Sequence, residues 1–404
     1  MNTAWLELEE AQARILGAAD GLPPEQRPLG ESMGLYSAAE VAARFDSPPF
    51  DNSTVDGYAM RSADCGHVGG LELAGRQPAG VNLGLSVQAG QCLRIFTGAP
   101  MPAGADCVAM QEDCLVEGGR VFCPQAHEGG ENIRRAGADL CTGQLICRRG
   151  QRLTPALIGL LASQGLSHVQ VHPTPSITVI STGDELKTPG CEPLKPGEIF
   201  ESVGFMLSAQ IAETGPAQVA RLHCGDDPSR LAEMLHHSSH QSDLIILSGG
   251  VSVGEHDPVK PALALLGIQP DFWRLRIKPG KPFLFARIPR QRGGHCLVFG
   301  LPGNPVSAFV TFELLARPAL LRLMGATQWQ RPKLTARLRV AVNNPDDRPH
   351  FIRGRLLEQE FEPLGLQQSH AIFGLSLCNA LLRLEPGVSL PTGQNIEITP
   401  CTNF

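Results

Sequence analysis

The chain has 404 residues, 42% apolar and 18% charged, with 44 glycines, 33 prolines and a formal net charge of −6. This composition excludes a disordered chain, and the acidic balance without a long Lys/Arg run argues against a nucleic-acid surface. The N-terminus lacks the basic and apolar blocks of a secretion signal and no stretch reaches the roughly eighteen apolar residues of a membrane span, so a soluble, cytoplasmic protein without membrane association is expected.

Length alone predicts roughly two to four domains. Residues 5–19 place Trp5, Leu8, Ala11 and Ile15 at helical spacing, which predicts an amphipathic helix. A second short helix is expected around residues 38–44, between the Pro23-Pro24 and Pro48-Pro49 segments. From about residue 50 to 139 short apolar runs and Gly/Pro turns predict a β-rich insert. Thr154-Pro155 then opens a helix over 151–166, a good cap and first-turn pair. Between 176 and 324 apolar strands alternate with helical stretches at 205–214, 228–236 and 305–321, the pattern of a doubly wound α/β sheet. After Arg331 the period-two run Leu334, Ala336, Leu338, Val340, Val342 predicts a small β-barrel or sandwich. The twelve cysteines contain no Cys-x-x-Cys pair, so small buried thiols are expected rather than a zinc site or a disulfide framework.

Three strands of the α/β region run into polar glycine turns: Ser176-Ile-Thr-Val-Ile-Ser-Thr-Gly-Asp-Glu-Leu, Leu244-Ile-Ile-Leu-Ser-Gly-Gly-Val-Ser-Val-Gly-Glu-His-Asp and Cys296-Leu-Val-Phe-Gly-Leu-Pro-Gly-Asn-Pro-Val-Ser-Ala. Loops at the carboxyl ends of parallel strands line the ligand crevice of such a sheet, and glycine lets backbone N–H groups approach an anion. Gly249, Gly250, Ser252, Pro302, Asn304 and Pro305 are therefore expected at a polyphosphate or oxyanion site. Glu185, Asp226, Asp227 and Asp257 follow strands or open helices and are candidate Mg²⁺ ligands. Asp227-Pro228 reads equally as a helix start. Lys278 and Lys281 flank Pro279-Gly280, a bend expected to hold two ammonium groups beside an anion. In the insert, Asp51 and Asn52 either form Asx turns or serve a site, Asp56 either caps or faces a ligand or metal, and Arg134 either is solvated or clamps phosphate. Neither a P-loop nor a Gly-x-Gly-x-x-Gly fingerprint occurs in these loops.

Phe50-Asp-Asn-Ser-Thr-Val-Asp-Gly-Tyr-Ala, Ile95-Phe-Thr-Gly-Ala-Pro-Met-Pro, Gly130-Glu-Asn-Ile-Arg-Arg, Ser181-Thr-Gly-Asp-Glu-Leu, Ser248-Gly-Gly-Val-Ser-Val-Gly, Ile277-Lys-Pro-Gly-Lys-Pro and Gly300-Leu-Pro-Gly-Asn-Pro-Val-Ser together resemble the molybdopterin molybdenumtransferase family, related to the C-terminal domain of gephyrin. The resemblance implies a three-layer α/β molybdopterin-binding core (173–326), a β-rich insert domain (48–139), a C-terminal β-barrel (327–404) and an elongated N-terminal linker and dimerisation domain (1–47 with 140–172). It implies a homodimer that inserts molybdate into adenylylated molybdopterin with Mg²⁺, releases AMP, and has molybdopterin adenylyltransferase as a partner. By motif, Asp56, Thr97, Asp139, Glu185, Asp226 or Asp227, and Asp257 would line the nucleotide and Mg²⁺ site, while Lys278, Lys281, Arg353 and Ser369 would hold molybdate. The chain departs from the family at Glu201-Ser202-Val203, where an amide is lost, at Pro258 and at Ala138. Two rival readings are the adenylyltransferase itself, whose fold resembles the core alone, and a non-catalytic scaffold of the gephyrin kind.

Overall fold

The apolar run Ser176–Thr182 forms a strand, β1, with six of its seven residues buried. The computed structural model to which it belongs describes residues 5–191, 193–251, 257–290 and 293–401. Contacts divide the chain into one unit of Met1–Ala39, Arg149–Ile158 and His168–Phe404 and another of Glu40–Arg148 and Gly159–Ser167.

In the first unit β1 is joined by β2 (Gln218–Cys224), β3 (Leu244–Ser248), β4 (Phe272–Trp273), β5 (Leu284–Pro289) and β6 (His295–Leu301), in the order β2-β1-β3-β6-β5-β4. The first four are parallel, and the last two add antiparallel pairs. Alternation along these strands divides the core into layers. Ile177, Val179, Leu244, Ile246, Leu297 and Phe299 face one side, packed with α1 (Leu8–Ala18), α2 (Val203–Thr214) and α5 (Pro305–Thr311). Ile180, Ile245, Leu247 and Val298 face the other, under α3 (Pro228–Gln241) and α4 (Val259–Leu265). Both faces are thus covered, as parallel sheets require. From β1 the chain crosses to the β2 edge, whereas from β3 it proceeds toward β6, so the strand order reverses between β1 and β3. That reversal opens a crevice at the strands' carboxyl ends.

The helix expected over 305–321 is interrupted: α5 passes through a π-helical turn, Phe312–Ala316, before α6 (Arg317–Leu323). The C-terminal alternation forms a closed barrel from β7 (Leu334–Leu338), β8 (His350–Leu357), β9 (Glu360–Pro363), β10 (Ala380–Leu384) and β11 (Asn395–Pro400). Its interior is centred on Phe361, fully buried, and burying such a ring stabilises by about 2–3 kcal/mol. Gly354 makes room for it, because a Cβ there would stand 2.1 Å from the ring. Val340 lies outside the strand that its period-two spacing suggested, since pairing stops at Leu338 and resumes at Val342–Asn343.

The second unit carries a six-stranded sheet in the order Cys107–Met110, Gly57–Met60, Gln91–Ile95, Leu71–Gln77, Arg120–Phe122, Leu115–Glu117. One expectation fails here. Residues 38–44 form no helix; Val41–Ala42 is a short strand antiparallel to Leu145–Cys147. Backbone pairing with a distant segment of the same chain supplies the hydrogen bonds that this short, helix-favouring segment could not make alone. Eight of the twelve cysteines are buried and all twelve are free thiols. Among the described residues no helix is long and apolar enough to cross a membrane.

Candidate functional site

The crevice at the strand reversal is a pocket of about 710 Å³. Its walls come from the turns after β1 (Thr182, Gly183, Glu185), β3 (Ser248, Gly249, Gly250) and β6 (Gly303, Asn304, Pro305), with Asp226 after β2 and Asp257 before α4. The register explains the convergence, because Ser181 pairs with Ser248 and Ser248 with Leu301, so the three turns begin at one level. Glycine is required where the turns touch. A Cβ on Gly249, whose φ is +90°, would sit 2.8 Å from the Thr182 carbonyl oxygen, a clash that no rotamer relieves.

Four carboxylates, Glu185, Glu201, Asp226 and Asp257, line this pocket, and no lysine or arginine does so among the described residues. The Asp226 N–H donates to Asp184 Oδ1 at 3.3 Å and the Asp184 N–H to Asp226 Oδ2 at 3.5 Å, which ties the turn after β1 to the turn after β2. Asp257 Oδ1 accepts the Val259 N–H at 3.1 Å. Its Oδ2 is buried without a hydrogen-bond partner among the described residues. Burial pushes the Asp257 carboxyl up to about 6, partly opposed by the Val259 N–H and Lys260. A buried oxygen with no donor lacks the positive partner that its ionised form needs.

Mg²⁺ fits this donor set. The oxygens are hard, and an anionic substrate entering among four carboxylates requires a cation between like charges. Among the described residues no three His, Cys, Asp or Glu side chains form a ready-made cage. Mg²⁺ commonly uses one or two carboxylates together with water and substrate phosphate, so a preformed cage is unnecessary.

Comparison with known proteins places this arrangement. The MoeA N-terminal region (domain I and II) matches residues 6–165, the probable molybdopterin binding domain matches 178–322, and the MoeA C-terminal region (domain IV) matches 335–401. The chain is 34% identical to the molybdopterin molybdenumtransferase of Haemophilus influenzae, over 98% of each. It is 36% identical to molybdopterin molybdenumtransferase 2 of Mycobacterium tuberculosis, over 98% of this chain and 99% of that protein. The chain belongs to the molybdopterin molybdenumtransferase family. Within that family, the crystal structure of the molybdopterin biosynthesis MoeA protein from Pyrococcus horikoshii superposes with a TM-score of 0.84 at 28% identity, covering 99% of this chain and all of the other.

In this molybdopterin molybdenumtransferase family member, Glu185, Asp226, Asp257, Gly249, Gly250, Asn304 and Pro305 meet in one pocket. Ser252 lies outside the described residues, and Pro302 is buried and is not among the lining residues. Asp227 is not a lining residue: it caps α3, with Oδ1 accepting the Ser229 and Arg230 N–H groups at 2.8 and 3.4 Å. Lys278 Nζ pairs with Asp346 at 2.5 Å, and Lys281 Nζ lies 4.7 Å from the centre of the Trp5 ring.

Arg353 is 1% exposed. Its guanidinium donates to the carbonyls of Ala371, Leu366 and Gln368 at 3.0, 2.7 and 3.2 Å, gripping the segment that supplies His370 and Ile372 to the pocket wall. Ser369 anchors the same segment through its carbonyl, which accepts the Val306 N–H of α5 at 3.1 Å. His370 and Ile372 were missed in the sequence although Ser369 was singled out beside them. Ile199 and Phe200, which also line the pocket, had only their position before Glu201 as a signal.

The remaining candidates belong to the second unit. Asp56 Oδ1 accepts both the N–H and the hydroxyl of Thr97 at 2.8 Å, and the Thr97 N–H in particular holds the carboxyl below its usual range. Arg134 is exposed on a two-residue strand against Asn52–Ser53. Arg135, rather than Arg134, bonds Asp51 at 2.6 Å. The Asp139 backbone N–H donates to the Ser47 carbonyl at 2.9 Å.

Proposed function

We propose that this chain is a molybdopterin molybdenumtransferase, which inserts molybdate into adenylylated molybdopterin, releases AMP and yields molybdenum cofactor. The observation that carries the reading is the convergence of Glu185, Asp226 and Asp257 with the glycine turns after β1, β3 and β6 in one pocket, within the stretch matched by the probable molybdopterin binding domain.

Glu185, Asp226 and the unpartnered Oδ2 of Asp257 would hold Mg²⁺. A bound Mg²⁺ would offset the negative charge on the adenylyl phosphate as its linkage breaks. The Val259 N–H fixes the Asp257 carboxylate plane by binding Oδ1. Glycine turns allow backbone N–H groups to approach phosphate oxygens. Lys278 and Lys281 would supply charge for molybdate, while Arg353 and Ser369 would act by shaping residues 366–371. Asp56, Thr97, Arg134 and Asp139 are proposed substrate or metal contacts from the second unit. The same reading includes a homodimer, a cytoplasmic location, delivery of substrate by molybdopterin adenylyltransferase, and the four-part division 1–47 with 140–172, 48–139, 173–326 and 327–404. Family resemblance supports these last points.

The test is insertion in vitro with purified adenylylated molybdopterin, molybdate and Mg²⁺. AMP and molybdenum cofactor should appear in equal amounts. Formation of adenylylated pterin from molybdopterin and ATP would instead favour the adenylyltransferase. A folded chain that releases no AMP and fails to restore molybdoenzymes in cells lacking the endogenous transferase would favour the scaffold.

A further inference from the structure

Glu201, the acid that opens the Glu201-Ser202-Val203 segment, has one committed oxygen and one uncommitted oxygen. Oε1 accepts the Ser181 hydroxyl at 3.1 Å and the Gly204 N–H, in the first turn of α2, at 2.6 Å. Oε2 has no hydrogen-bond partner among the described residues. The Glu201 N–H also donates to the Lys187 carbonyl at 2.8 Å, so both backbone and carboxylate are held. A second cavity, of about 290 Å³, adjoins the pocket and shares Leu186 and Glu201 with it. Phe205 and Arg221 also line it, with the Arg221 guanidinium carbon 3.6 Å from the centre of the Phe205 ring. Arg221 is exposed on the edge strand β2, and its guanidinium has no ion pair or hydrogen bond among the described residues. A guanidinium stacked on one face can stack a second flat ring on the other.

The chemistry of this cavity is selective. A carboxylate oxygen only accepts hydrogen bonds, so it pairs with a heteroaromatic edge rich in N–H donors and opposes one that presents a lone pair. The 2-amino and adjacent ring N–H groups of a pterin form a donor–donor edge. Adenine places ring-nitrogen acceptors beside its amino group. We propose that Glu201 Oε2 reads the amino-pyrimidine edge of the pterin, with Arg221 and Phe205 stacking the ring, in this second cavity. The proposal rests on the molybdopterin reading and deepens it by assigning the pterin a position separate from the carboxylates that serve the phosphate.

Glu201→Gln tests it, because the amide retains Oε1 for Ser181 and Gly204 and replaces only Oε2 with a donor. The full chain is titrated by fluorescence with 6-hydroxymethylpterin, with lumazine (which carries a C2 carbonyl in place of the amino group), and with AMP. E201Q should weaken pterin binding roughly ten- to hundredfold, bind AMP no more weakly than wild type because one like charge is removed from the pocket, and bind lumazine at least as well as wild type. Equal pterin affinity in the two proteins, no pterin binding to wild type, or a loss confined to AMP would overturn the assignment. Should E201Q melt early, Arg221→Leu preserves apolar contact with Phe205 while removing the planar cation. It should weaken pterin binding by about three- to tenfold, and unchanged affinity would overturn the assignment. Turnover separates the two levels: wild type that releases no AMP defeats the functional reading, whereas wild type that turns over with the same KM as E201Q defeats this assignment alone.

Discussion

Asp257→Asn should make the protein more stable while abolishing its activity. Burial raises the carboxyl from 3.8 to about 6, a difference worth about 3 kcal/mol against the ionised form. The group is half-buried, and solvent screening reduces this to about 1–2 kcal/mol. The sign follows from proton counting. Between the two values the native state retains a proton that the unfolded chain has released, so native stability falls as pH rises from 3.8 through about 6. Asparagine keeps the Oδ1 bond to Val259 and removes the charge. Urea denaturation should therefore show D257N and wild type nearly equal at about pH 4, and D257N more stable by about 1–2 kcal/mol at about pH 7. Adding Mg²⁺ at the higher pH should raise the wild-type midpoint and leave that of D257N unmoved, while AMP release is lost only in the variant. A variant no more stable than wild type near neutrality, or a difference of equal size at both pH values, would refute the reasoning.

Asp226 and Asp227 should separate cleanly. Asp227→Ala loses the α3 cap and about 1 kcal/mol of stability with AMP release retained, whereas Asp226→Ala should lower AMP release by more than about tenfold and cost less than about 1 kcal/mol, since its Oδ2 accepts only the long 3.5 Å bond from the Asp184 N–H. Arg353→Ala strands three carbonyls and should cost about 3–5 kcal/mol by denaturant titration; Arg353→Lys, which cannot reach all three, should fall between it and wild type. His350 is held down to about 4 by burial and the nearby Lys278 charge, so its neutral form stabilises the native state above 6.5 and that contribution is lost as pH falls toward 4. His350→Gln should flatten this acid limb of the stability profile by about 2–3 kcal/mol, and an unchanged limb would dismiss the residue as its source.

The residues reveal the site only where local signals and topology coincide. The runs ending at Thr182, Ser248 and Leu301 declare themselves as buried strands, and glycine plus carboxylate beyond each marks the ligand-facing turn. Parallel register then brings Glu185, Asp226 and Asp257 together without further information. His370 and Ile372 are different, because they join the wall through Arg353 and the Ser369–Val306 bond, contacts that span 13 to 63 residues of chain. No local pattern encodes such closure. Lys278 and Lys281 show what a motif leaves open: a Pro-Gly bend fixes the backbone between them, while the partners that the ammonium groups meet, Asp346 and Trp5, come from distant parts of the chain. At residues 38–44 the helix-forming composition was real, and strand pairing overrode it.

Arg353 leaves the barrel and the sheet with a shared component. The arginine is rooted in β8 while the segment that it grips is fastened to α5 by the Ser369 carbonyl, so a C-terminal module transplanted from a relative would bring its own version of the pocket's roof. A chimera joined between residues 326 and 334 should thus inherit ligand preference from both parents, and a chain truncated there should retain its layered sheet with one side of the binding mouth missing.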